Sequence, residues 1–160
     1  MEPRAAVDLI LKNPELKKAG VRVTALVADK DSSTMAALNR ESPYRIRKVV
    51  DLNHEIKSVG NSIYKLKELK GHKFLTKRIV DYLKRCLSYA ITGNAGDVEG
   101  VRRAILNITP HTYNENDGCS EVWCHAINKP SYKYKDLPDV KPFTDPHFRR
   151  DIAFIFEEES

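Results

Sequence analysis

Two carboxylates, Asp29 and Asp31, stand where the apolar run VRVTALVA (residues 21–28) gives way to Ser32, Ser33 and Thr34. A carboxylate at the carboxyl end of a strand is where open α/β sheets present functional groups. Hard dications such as Mg2+ take one or two protein carboxylates together with substrate phosphates. Two such ions can clamp the attacking and leaving oxygens of a phosphodiester. The same residues also suit a helix start, since Asp31 or Ser32 at the N-cap contributes about 1 kcal/mol. Further on, Asp51 and His54 lie three apart in VVDLNHEIKSV and share one face of a helix. Asp51 fits a cap there, or, with further ligands, a metal site. A third group lies in PHTYNENDGCSEVWCH. His111, Cys119, Cys124 and His125 are four donors of the types Zn2+ prefers. Cys124 and His125 are adjacent, and neighbouring side chains diverge. Cys86, among apolar residues of a helix, reads as core.

Positioning these groups needs a frame. Residues 2–18 read as a helix, with Pro3 in its first turn and Asn13-Pro14 interrupting or re-capping it. Residues 21–28 are short, β-branched and bounded by turn signals, as a buried strand would be. Ser32 or Ser33 starts a helix through Asn39, and residues 44–50 read as a second short strand. Asp51 caps a helix over 52–69 whose stripe is Ile56, Val59, Ile63, Leu66 and Leu69. A helix follows over 75–91. Asp97 caps another, which Pro110 ends. Residues 110–146 are irregular, and a helix over 146–157 carries Phe148, Ile152, Ile155 and Phe156. A lone buried strand cannot satisfy its backbone, so residues 21–28 pair with 44–50 or with strands outside this chain.

Hydrophobic residues make up 41% and charged residues 31%, a globular balance that excludes a disordered chain. No apolar run approaches the ~20 residues of a membrane span, and the first residues do not form a secretory signal. Three cysteines, an odd number, argue against a disulfide scaffold and for a reducing compartment. The net charge is +5, yet residues 40–85 carry 13 Lys or Arg against five acids. Such a span can follow phosphates by counterion release. Lys57, Lys65, Lys67, Lys70, Lys73, Lys77 and Arg78 are its candidate DNA-binding residues. Trp123, Tyr113, Tyr132 and Tyr134 stand near Lys129, Lys133 and Lys135. Such rings can stack on bases, although the reading favours rings that pin a loop to a core.

Taken together, the opening stretch through VTALVADKDSSTMAAL, then VVDLNHEIKSVGNSIYKL, then KRIVDYLKRCLSYAITGNAGDVEGVRRAILNITPHTY and CSEVWCHAINKPSYKYKDLP resemble the Mutator-like transposase domain over roughly residues 1–155. That resemblance implies an RNase H-like core and a DDE carboxylate triad holding two Mg2+ or Mn2+ ions. It also implies transposon ends and target DNA as partners, in the nucleus. Asp29 matches the second triad position, with Asp31 as the alternate. Asp51 and His54 match the family's C/D-x-x-H signature in a supporting role. Where relatives carry another His before the first Cys, this chain has Asn116-Asp117, so His125 or Asp117 takes its place in the expected zinc set. The family's first Asp and final Glu have no match within the 160 residues, and Glu157, Glu158 and Glu159 come too early.

The expected fold is α/β and mostly helical. It comprises a partial RNase H-like segment (1–50), a basic helical region (51–109), a Cys/His loop (110–145) and a terminal helix (146–157). All of it is read as one partial transposase domain, an internal fragment. The expected parent activity is metal-dependent DNA cleavage and strand transfer, with the chain alone inactive. The alternative is a non-catalytic DNA-binding module built on the basic helices and a zinc loop.

Overall fold

The computed structural model describes residues 2–28, 32–69 (Leu69 by its backbone alone), 71–120, 124, 126, 127, 129 and 132–160. Asp29, Asp31, Lys70, Trp123 and His125 therefore lie outside the described residues. The elements run α1 (Pro3–Leu11), α2 (Pro14–Lys18), β1 (Ala25–Ala28), α3 (Ser32–Glu41), β2 (Arg47–Val50), α4 (Leu52–Leu69), α5 (Lys77–Thr92), α6 (Val98–Leu106), α7 (Ile108–Thr112) and α8 (Pro146–Glu158). A short 3-10 turn, Pro138–Val140, precedes α8. Among the described residues the chain is thus mostly helical, with one small parallel sheet. It divides into two compact units, residues 1–55 and 56–160.

In the first unit the expected 2–18 helix is two helices. Asn13 makes the break and the restart together. Its side-chain oxygen accepts from the N–H groups of Glu15 (2.9 Å) and Leu16 (3.4 Å), which caps α2, and Pro14 follows at the first helical position. α1 lays Ala6 and Val7 against Met35, Ala37 and Leu38 of α3, with Ile46 completing the core. β1 and β2 pair in parallel with Ala25 opposite Arg47 and Ala28 opposite Val50. Their connection is α3, so the unit is a β-α-β crossover. Asn39 of α3 sets the entry to β2: Ile46 N–H donates to its Oδ1 at 2.9 Å, and its Nδ2 donates to the Ile46 carbonyl at 3.3 Å.

The buried strand expected over 21–28 is corrected here. Only its last four residues form a strand, and Val27 is 64% exposed. The helices cover one face of the sheet, so Leu26 packs on the core while Val27 and Val49 stay open to solvent.

The second unit is built on the α5 stripe. Ile79, Leu83, Leu87 and Ala90 are buried at helical spacing. Val59, Ile63 and Leu66 of α4 join the same core, as do Ile105 of α6 and Phe148, Ile152 and Phe156 of α8. α5 starts at Lys77 because Thr76 Oγ1 accepts from Ile79 N–H at 3.4 Å. Thr76→Ala is expected to destabilise this unit by about 1 kcal/mol, while Thr76→Ser leaves it within a few tenths. Denaturant midpoints of the two variants check this.

Pro110 does not end the α6 run as expected. The break falls at Asn107, and Pro110 lies in the first turn of α7. A first-turn residue has no intrahelical acceptor for its N–H, so proline costs nothing there.

Candidate metal centre

α7 is packed among α5, α6 and α8, and it holds His111 at 3% exposure. One face of that ring meets α5, where Tyr82 Oη lies 2.8 Å from His111 Nε2. Its other nitrogen, Nδ1, faces the loop that follows. Asn116 Oδ1 is 2.8 Å away, Cys124 Sγ 3.4 Å and Cys119 Sγ 3.5 Å.

The loop doubles back for local reasons. Asn114 takes a left-handed conformation (φ 65°), which asparagine tolerates better than most residues. Glu115 N–H then donates to the Pro110 carbonyl at 3.0 Å and closes the end of α7. A turn from Asn116 to Cys119 follows, its N–H to carbonyl bond 3.0 Å long. Gly118 lies so close to Asn107 that an added Cβ would stand 2.5 Å from the Asn107 side-chain oxygen. That approach lets Asn107 Nδ2 donate to Cys119 Sγ at 2.9 Å.

The three donor atoms of His111, Cys119 and Cys124 all lie within 4.8 Å of one another. Burial lowers the His111 pKa, which favours the neutral imidazole that ligates metals. Burial, and then the neighbouring Cys124, push the Cys119 thiol up to about 12. A dication between the sulfurs would reverse that preference, since a coordinating thiol is deprotonated outright. An imidazole and two sulfurs suit a borderline-soft cation and not Mg2+. This cluster could therefore hold a metal ion. Asp117, weighed from the sequence, is exposed and is not one of the clustered donors. Cys86 is core as read, and burial pushes its thiol up to about 12.

Sequence reasoning passed over Tyr82, Asn107 and the side chain of Asn116. Tyr82 stands 29 residues before His111, and no local spacing links them. Tyr113 and Tyr134 serve packing. Tyr113 Oη donates to the Asp145 carbonyl at 2.7 Å, and Tyr134 is buried with Tyr132 edge-on at 5.0 Å.

Around the other candidates the geometry is plain. Asp51 Oδ1 accepts from the N–H groups of Asn53 (2.9 Å) and His54 (3.4 Å), so it caps α4, and His54 is exposed in that first turn. Lys57 and Lys65 are exposed on the side of α4 opposite Val59, Ile63 and Leu66, with the Lys67 ammonium 5.6 Å from the centre of the Tyr64 ring. Lys73 is exposed in the turn before α5. Among the described residues, Lys57, Lys65 and Lys73 make no ion pair. Lys77 is bound to Asp81 at 2.6 Å and lowers that carboxyl's pKa. Arg78 reaches Asp136 at 2.9 Å and the Lys135 carbonyl at 2.6 Å, and Arg85 joins the same carboxylate at 2.6 Å. Among the described residues no helix is long and apolar enough to cross a membrane.

A family model described as Mutator-like transposase matches residues 1–124. Neither a curated protein nor a solved structure matches the chain. The matched span includes residue 29, the Asp51/His54 turn and all three clustered metal donors.

Proposed function

The chain belongs to the Mutator-like transposase family, and from that premise we propose that it is an internal part of an enzyme that cuts and rejoins DNA on divalent metal ions. The observation that carries this reading is the family match over residues 1–124, which spans the β-α-β crossover and the joint after it. β1 ends at Ala28, so residue 29 follows directly at the carboxyl end of a parallel strand. That is where an RNase H-like core would present the second of its three DDE carboxylates. Asp29 would hold Mg2+ or Mn2+ there, with Asp31 as the alternate and Asp51 and His54 in support. These dications would supply charge for the attacking and leaving oxygens of the phosphodiester.

A two-ion site needs more than one carboxylate, and the 160 residues contain one match to the triad. The isolated polypeptide is therefore expected to leave supercoiled plasmid intact with Mg2+ or Mn2+. Nicking by the purified chain that disappears in Asp29→Ala would overturn that expectation. Work on DNA would put the parent protein in the nucleus.

The exposed lysines favour a second reading, in which this chain binds DNA without chemistry. Among the described residues, Lys57, Lys65 and Lys73 are exposed and make no ion pair, whereas Lys77 and Arg78 are engaged within the fold. Replacing Lys57 and Lys65 by Gln is expected to weaken duplex binding uniformly across sequences. Each replacement should reduce the slope of log K against log salt by about one. Fluorescence anisotropy across a salt series checks this, and an unchanged slope sinks the assignment. Asp29→Ala should leave this binding unaltered.

The His/Cys cluster is proposed as a structural Zn2+ centre with His111, Cys119 and Cys124 as ligands. The donor chemistry fits Zn2+. Held there, the ion would tie Cys119 and Cys124 to His111 of α7.

A further inference from the structure

We propose that Asn116 supplies the fourth corner of the metal centre, which the sequence had assigned to His125 or Asp117. The site would then be built from His111 Nδ1, Asn116 Oδ1, Cys119 Sγ and Cys124 Sγ. This rests on the zinc reading of the cluster and deepens it.

The distances carry the argument. Metal–sulfur bonds of about 2.3 Å and metal–nitrogen bonds of about 2.0–2.1 Å give a tetrahedron whose N···S edges are about 3.5 Å. The two N···S edges here are 3.4 and 3.5 Å. An oxygen ligand at about 2.0–2.2 Å gives O···S edges of about 3.6 Å. Asn116 Oδ1 stands 3.6 Å from Cys124 Sγ and 3.7 Å from Cys119 Sγ. Four of the tetrahedron's edges therefore already have the lengths a zinc ion would require. The His111–Asn116 edge is shorter, at 2.8 Å. That is a hydrogen bond, His111 Nδ1–H to the amide oxygen, which an ion bound to both atoms would replace.

The surroundings aim both groups. Asn116 Nδ2 donates to Tyr134 Oη at 3.3 Å, and Tyr134 Oη donates to Asn114 Oδ1 at 3.2 Å. The amide is thereby turned with its oxygen toward the sulfurs. Tyr82 on the far side of His111 gives Nε2 a partner in either tautomer. It can donate to Nε2 while Nδ1 carries its proton, or accept from Nε2–H once Nδ1 ligates. Ligands held by such outer partners are the rule at metal sites. A surface depression of about 630 Å³ is lined in part by Asn116, Cys119 and Lys129, which gives an ion a path in. Uptake of a dication by two thiols, an imidazole and an amide would release two protons and leave a neutral centre. A neutral amide is the weakest donor of the four, so the position should tighten when a better ligand replaces it.

The test is a Co2+ titration of the full chain followed by visible absorption, with Zn2+ affinity then read by competition. The wild type is expected to show the absorption of a tetrahedral site with thiolate ligands. Asn116→Ala should weaken Zn2+ by at least about 10-fold, since even the outer partners of metal ligands are worth 10–100-fold. Asn116→Asp and Asn116→His should bind at least as tightly as wild type, and they keep the proposal testable if the alanine variant folds poorly. His125→Ala should change nothing. Asn116 variants that all bind like wild type, with His125→Ala weakened, would overturn the fourth-corner assignment and leave the zinc reading standing. A wild-type chain that takes up neither ion would overturn the zinc reading and this proposal with it.

Discussion

Phe148→Ala is expected to destabilise the 56–160 unit by about 3–5 kcal/mol, the range for truncating a fully buried aromatic. The ring is 0% exposed. It lies 4.9 Å from Phe143, 5.0 Å from Phe74 and 5.1 Å from His72, each near edge-on, the arrangement in which aromatic quadrupoles attract. Those partners come from two different stretches of chain, so the ring ties α8 to the turn before α5 and to the loop before α8. His72 depends on the same contact. Its Nε2 lies 2.8 Å from Asp151 Oδ2, one turn along α8 from Phe148. Removing the ring opens a cavity and loosens that buried pair together. Total stabilities are about 5–15 kcal/mol, so this single change should remove a large share. Chemical denaturation monitored by circular dichroism reads it, and a loss below about 1 kcal/mol would mean that the aromatic cluster does not anchor α8. Phe148→Leu should cost clearly less.

The second large effect is expected at His111. Alanine there removes a buried ring and takes from the buried Tyr82 hydroxyl its partner at 2.8 Å, leaving it only the weak Cys86 thiol. An unsatisfied buried polar group costs about 1–3 kcal/mol, and the cavity adds to it. Roughly 2–4 kcal/mol should be lost in chelator-treated protein, where no metal contributes. Zinc supplied at a hundred times its Kd should add about 2.7 kcal/mol to the wild type. The alanine variant should gain little of that. Thermal melts with and without zinc separate the two contributions. A variant as stable as wild type in chelator would sink the hydrogen-bonding role, and one that gains fully from zinc would remove His111 from the ligand set.

What was legible in the sequence was mostly local. The long α4 was readable end to end because its apolar residues recur at three and four, and because Asp51 before it caps by contact with its own neighbours. Asn13 as a re-cap, Asp97 and the Cys86 core position were readable for the same reason: each depends on residues within a turn. The β1–β2 pairing was one of two options left open, and the parallel ladder chose it. The strand's burial was misjudged. A β-branched run states a preference for a sheet, whereas the number of faces covered depends on how many elements pack on it. Here the first unit leaves Val27 and Val49 open.

The basic residues show the same division. Counting charge found the 40–85 surplus, yet Lys77 and Arg78 are engaged with Asp81 and Asp136, the latter 58 residues from Arg78. A carboxylate so distant neutralises a charge that composition counts as available.

By itself, the sequence determined the donor types of the His/Cys cluster, the periodicity of the helices, their caps and the family resemblance, all of which depend on residue identity and short spacing. Only the tertiary structure decided which donors converge. His111 and Asn116 meet the two sulfurs because Asn114 turns the chain back, Gly118 lets Asn107 approach, and Tyr82 from α5 fixes the ring. Coordination demands atoms a few ångströms apart in three dimensions, and that separation is set by where packed helices place the ends of a loop.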